Sequence, residues 1–161
     1  MRARIVAAMA VGLSGLFSAP AAQASSGPIY WQFKNEASGR CLTTYASGAI
    51  HAIKCDSSQQ SQQWHWLNSE WTEMRMLRNR WTGKCLVHHL DTDAVTSGAC
   101  NDRTSRHWRK TSTFSPTGID AWRNNDWNGT LANYYGSDRV FMSYRENGLP
   151  PSEKWAYTRT N

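Results

Sequence analysis

Few side chains in this chain of 161 residues are spaced for chemistry, and those that are suit cross-linking and recognition better than turnover. Cys41, Cys55, Cys85 and Cys100 form two pairs of similar separation, which suits two disulfides and leaves no thiol as a nucleophile. Tyr45, His51, Asp56 and Gln62 place one aromatic ring and several polar groups within one short span. His88, His89 and Asp91 are of metal-ligand type, but adjacent histidines on a strand point to opposite faces. They are therefore expected as surface residues, and no metal site is expected. There is no Gly-x-Ser-x-Gly elbow, no His-Glu-x-x-His and no phosphate-binding glycine loop. The twelve acids single out no glycosidase pair. Neither an enzyme nor a cofactor is expected.

What must position these residues is a repeat. Asn35, Gly39, Cys41, Leu42, Ile50, Cys55 and Trp64 are echoed 44 or 45 residues later by Asn79, Gly83, Cys85, Leu86, Val95, Cys100 and Trp108. A further shift of 45 reaches Asn124, Asn128, Thr130, Leu131, Val140 and Arg145, with Trp155 two positions late. A fixed period of this size marks a repeat architecture. The repeats span approximately 29–73, 74–118 and 119–161. Each holds about four short runs rich in aromatic and β-branched residues, divided by Ser, Gly, Asn and Asp, and none sustains a helical pattern. The fold class is therefore all-β. Units this small bury an apolar face only by packing together, so Trp64, Trp108 and Trp155 are expected in one core layer. Leu42, Leu86 and Leu131, then Ile50, Val95 and Val140, supply two more.

Before the repeats, Met1 to Ala24 runs from Arg2 and Arg4 through an apolar stretch to Ala22-Gln23-Ala24, the three-part pattern of a secretory signal peptide. Cleavage there leaves one domain, residues 25–161, in an oxidising compartment. The apolar stretch is too short to span a bilayer. Without it, 16 Lys and Arg face 12 Asp and Glu, a net charge of +4 against +6 for the whole chain. These charges are scattered, whereas nucleic-acid binding calls for a basic face. Four cysteines allow three pairings, and the repeat favours Cys41–Cys55 with Cys85–Cys100, which treats the two repeats alike.

The run Asn-x-x-Ser/Thr-Gly-Arg/Lys-Cys-Leu, a second Cys about 14 residues on, and Gln62-Gln63-Trp64 resemble the repeat of ricin-type β-trefoil lectins. The chain is especially similar to small secreted bacterial three-repeat members such as actinohivin. The resemblance implies a β-trefoil of twelve strands, a six-stranded barrel capped by three hairpins, with non-catalytic glycan binding at up to three shallow sites. It also places Tyr45, His51, Asp56 and Gln62 in the loops of a candidate glycan site, while Asp56 as a turn cap and Gln62 as a strand tie are the plainer alternatives. Sugar-binding members carry an aspartate after Cys-Leu. This chain has Thr43, Val87 and Ala132 there, and Gln-x-Trp becomes Arg106-His107-Trp108 and Glu153-Lys154-Trp155. Nine tryptophans leave six outside the shared layer, among them Trp81 and Trp127 in loops, where rings stack on sugars, anchor a protein or close the barrel. The Asn128-Gly129-Thr130 sequon is too short to carry weight. The expected partner is a glycan or cell-surface carbohydrate, with no nucleic acid and no membrane insertion. The alternative is a trefoil that has lost its sugar sites and binds a secreted protein, as an adaptor or a subunit of a multi-component toxin.

Overall fold

The computed structural model describes residues 27–71, 73–110, 119–120, 122–124, 129–144 and 148–160. Repeat one contributes β1 (Tyr30–Asn35), β2 (Cys41–Thr44), β3 (Ile50–Ile53) and β4 (Trp64–Asn68). Repeat two contributes β5 (Arg75–Asn79), β6 (Cys85–His89), β7 (Ala94–Gly98) and β8 (Trp108–Lys110). Repeat three contributes β9 (Ile119–Asp120), β10 (Trp122–Asn124), β11 (Thr130–Asn133), β12 (Val140–Ser143) and β13 (Trp155–Thr160). All pair antiparallel in one sheet. The count is thirteen because the first strand of repeat three is described in two pieces, β9 against β13 and β10 against β8. This is a β-trefoil: β2–β3, β6–β7 and β11–β12 are the hairpins, and the remaining strands form the barrel. The first 24 residues lie outside the described residues, and among those described no helix is long and apolar enough to cross a membrane.

The recurring residues have recurring jobs. Trp64, Trp108 and Trp155 are buried, and each indole donates to the carbonyl of its own repeat's leucine, Leu42, Leu86 and Leu131, at 3.0, 3.1 and 2.9 Å. A large ring is thereby buried without stranding its one polar group. Phe33, Leu77 and the expected Ile50, Val95 and Val140 complete the cluster. The Asn-x-x-x-Gly spacing is a turn. Asn35 Oδ1 accepts from the backbone of Ala37 and Ser38, and Asn79 Oδ1 does the same for Trp81 and Thr82. Gly39 and Gly83 close these turns at φ of 68° and 66°, a region favouring glycine. The asparagine amides then reach a neighbouring repeat, at Ser152 and Ser61. The disulfides are Cys41–Cys55 and Cys85–Cys100, each with Cα atoms 5.0 Å apart, as the repeat equivalence predicts.

Candidate functional site

The three hairpins meet at one end of the barrel through a single contact made three times. Ala49 pairs with Thr96, Ala94 with Phe141 and Arg139 with His51, and these occupy equivalent positions in successive repeats. Each junction therefore has the same backbone and different side chains. Between repeats one and two it is closed by backbone: Gly48 approaches Ser97 so closely that a Cβ would lie 2.9 Å from its carbonyl, and the Thr44 and Ser97 hydroxyls are 2.8 Å apart. Between repeats two and three the Tyr144 hydroxyl donates to Asp93 at 2.7 Å and lies 2.9 Å from Nε2 of buried His88. The Tyr144 side chain is partly exposed, but loss of water around its hydroxyl, with Asp93 beside it, pushes the phenol well above its ordinary pKa, so it stays a neutral donor. His88 thus departs from the surface position expected of it, because Tyr144 of the next repeat covers it and satisfies its ring nitrogen. His89, on the other face, is exposed and bonded to Thr96.

The junction between repeats three and one is closed by side chains, Tyr45 and His51 from one repeat and Asp138 and Arg139 from the other. His51 Nδ1 lies 3.3 Å from Asp138 Oδ2, and the Ala52 amide donates to the Asp138 carbonyl at 2.8 Å. Tyr45 stands edge-on to the His51 ring at 5.2 Å and is 42 % exposed. Arg139, next in the chain, lies over the Phe141 ring at 6.0 Å. Tyr134, the repeat-three counterpart of Tyr45, packs on Phe141 at 4.8 Å. The result is a shallow ledge of aromatic faces with an imidazole, a carboxylate and a guanidinium, the groups that hold the apolar face and the hydroxyls of a sugar.

The four residues expected to share a site are divided by the fold. Tyr45 and His51 sit together at the hairpin tip. Asp56 does not join them: the register sets Cys41 opposite Ile53, so Asp56 lies beyond the base of the hairpin. Its carboxylate accepts from the Ser58 hydroxyl and amide at 2.6 and 2.9 Å, capping a turn, and these bonds hold its pKa below the ordinary carboxylate value. Gln62 is closed to solvent, accepting from Gln32 and the Asp56 amide and donating to the Lys54 carbonyl. Thr43, Val87 and Ala132, where the resemblance would place an aspartate, are all buried, and the Thr43 hydroxyl is spent on the Cys41 carbonyl. Among the described residues no group of three His, Cys, Asp or Glu could hold a metal ion. Trp81 is 52 % exposed, whereas Trp127 and Asn128 lie outside the described residues. Asp138 and Arg139 were missed because nothing near His51 in the sequence points to them. Aligning the repeats so that Ile50, Val95 and Val140 coincide would have placed them two residues and one residue, respectively, before an equivalent hairpin strand.

The repeat, the barrel and the three-hairpin cap define a β-trefoil of the lectin type. The chain belongs to the cytolethal distending toxin A/C domain family, whose profile matches residues 18–117. A comparison with curated protein sequences returns no significant match. Similar solved structures include the designed three-fold symmetric protein ThreeFoil, at 16 % identity and a TM-score of 0.64 over 80 % of this chain and 96 % of that one. SeviL, solved bound to asialo-GM1 saccharide, aligns at 14 % identity and a TM-score of 0.66 over 84 % of this chain and all of that one. A chain of the Haemophilus ducreyi cytolethal distending toxin aligns at 14 % identity and 0.64, covering 79 % of this chain and 81 % of that one. At these identities the likeness is one of fold.

Proposed function

We propose that this protein is a secreted, non-catalytic, carbohydrate-binding trefoil that serves as the targeting subunit of a multi-component toxin. The glycan is held at the junction of repeats three and one, by Tyr45 and His51 with Asp138 and Arg139. The observation that carries this reading is the exposed Tyr45 ring standing edge-on to a His51 that is itself set against Asp138. A stacking face beside fixed polar groups is what sugar recognition needs, and such a pair has no evident role in the core. The toxin-associated family supports membership of an assembly. Two disulfides and the signal-like residues 1–24 support export. Affinity at one shallow ledge is expected to be weak, since each neutral hydrogen bond nets only about 0.5–1.5 kcal/mol against water. Avidity then comes from tethering to other subunits.

The burial of Thr43, Val87 and Ala132 favours a second reading, a protein-binding adaptor without sugar sites. A glycan array and intact-cell binding, run with Tyr45→Ala and Asp138→Ala, separate the two. The lectin reading expects both variants to fold and lose glycan signal, with Asp56→Ala unaffected because that carboxylate lies at the other end of the hairpin. No glycan signal from the unmutated protein, together with a stoichiometric protein partner recovered from culture supernatant, establishes the adaptor instead.

A further inference from the structure

The barrel end away from the hairpins is built differently. Alternation along β1, β4, β5 and β13 turns Trp31, Trp66, Arg75 and Tyr157 to the same side as Phe33, Trp64, Leu77 and Trp155, so they form the layer beyond the core. The layers beneath repeat one residue type around the axis. In this one Trp31 and Arg75 fill equivalent positions of repeats one and two, and Trp66 and Tyr157 those of repeats one and three. The three rings are only half-buried. Trp31 meets Tyr157 edge-to-face at 5.5 Å, and Trp66 meets Phe33 likewise at 6.0 Å. They wall a cavity of about 720 Å³, which Glu73, Arg75 and Arg109 also line. Glu73 and Arg75 are exposed, and among the described residues neither side chain has an ion pair or hydrogen bond.

We propose that this barrel mouth is a second carbohydrate site, which takes the terminal rings of a glycan. It extends the proposed carbohydrate binding to the opposite end of the molecule and uses none of the same residues. Its volume falls in the range of small-molecule sites, roughly 300–1,000 Å³. The half-covered indole and phenol rings offer stacking faces to the C–H side of a pyranose. Glu73 accepts from hydroxyls and Arg75 donates to ring or hydroxyl oxygens, both through charge-assisted bonds. A purely apolar ligand fits less well, because it would strip water from a carboxylate and a guanidinium and return no hydrogen bond.

Saturation-transfer NMR on the whole protein with lactose, N-acetylglucosamine and sialyllactose tests this. Both Glu73→Gln and Arg75→Gln are exposed changes and should leave the melting temperature in place. Combined, they are expected to weaken at least one saccharide by about tenfold or more, the scale of losing two charge-assisted bonds. That binding should survive Tyr45→Ala. Three results overturn the proposal: unchanged affinity for every saccharide in the double variant, saccharide binding abolished by Tyr45→Ala alone, or a signal from decanoate and from no saccharide. The second would leave the hairpin-junction reading standing. Silence from all three sugars in the unmutated protein, with an array that is also blank, removes both.

Discussion

Repeats one and three bury the same tryptophan against the same leucine carbonyl, yet they fasten the surrounding chain by different means. In repeat one, Cys41 is bridged to Cys55, and the Gln62 amide ties the segment after β3 by neutral hydrogen bonds. In repeat three, Thr130 stands buried where the cysteine would be, and the tie is a carboxylate: Ser143 Oγ donates to buried Glu153 at 2.6 Å. The apolar positions specify the trefoil, and the ties over them are exchangeable. Trp155→Ala breaks the shared part where no bridge assists it. Replacing a buried Trp by Ala typically costs about 3–5 kcal/mol, a large share of the roughly 5–15 kcal/mol that holds a domain together. The variant should be unfolded or nearly so by near-ultraviolet circular dichroism. A wild-type melting temperature would show that the three tryptophans are not equivalent.

Removing the tie of repeat one sharpens the contrast. A bridge closing a loop of about 15 residues contributes roughly 3 kcal/mol in the chain-entropy account. The Cys41→Ala, Cys55→Ala pair should therefore lower the denaturation free energy by about that amount, while non-reducing peptide maps still recover the Cys85–Cys100 link. A loss below about 1 kcal/mol would mean that the hairpin is held by its packing, as in repeat three.

Three core layers were legible because Trp64, Leu42 and Ile50 each have a counterpart in both other repeats, and the bridges followed from the same alignment, while the three hairpins came from the family resemblance. The site was less legible. Tyr45, His51, Asp56 and Gln62 are neighbours in the chain, but the single 3-10 turn Gln60–Gln62 ahead of β4 sends Gln62 inward and the hairpin puts Asp56 at the far end from Tyr45. Tyr45 meets His51 within its own repeat, but Asp138 and Arg139 come to it from the third repeat, and His88 is buried by Tyr144 from that same repeat. Contacts between repeats depend on how three hairpins close around an axis, which a linear motif does not encode. Trp31 and Trp66 stand out in the sequence as tryptophans beyond the core set. Their place at the barrel mouth needed the strand pairing.

A smaller effect tests the tie of repeat three. Ser143→Ala leaves the Glu153 oxygen without that donor inside the protein, and losing one partner of a buried hydrogen bond costs about 1–3 kcal/mol. Urea denaturation should show a lower midpoint with an unchanged slope. Glu153→Gln, which turns repeat three toward the amide of repeat one, should cost less than Ser143→Ala. The reverse order would mean that the carboxylate has a second partner more important than Ser143.

The finest distinction lies one residue before each core tryptophan, where repeat one has Gln63 and repeat two has His107. Gln63 is tied by neutral and cationic partners, donating to the Ser57 carbonyl and accepting from Arg80. His107 is buried against the Asp102 carboxylate, whose other oxygen accepts from the Glu70 amide at 2.8 Å. The Glu70 amide first, then His107, holds the Asp102 pKa below its ordinary value of 3.8. A carboxylate depressed in the folded state contributes stability that is present above 3.8 and fades as pH falls below it toward the folded value. Asp102→Asn should therefore lower the melting temperature at about pH 6 and do so progressively less in acid, below pH 3.8. Gln63→Ala should cost the same in both ranges. The acid-sensitive contact also fixes the loop bearing exposed Trp71, whose ring lies 6.1 Å from His107. Trp71 emission should accordingly shift on acidification in the wild-type protein and not in Asp102→Asn. A pH-independent penalty for Asp102→Asn would reduce the Asp102–His107 contact to packing and make the two repeats alike at this position.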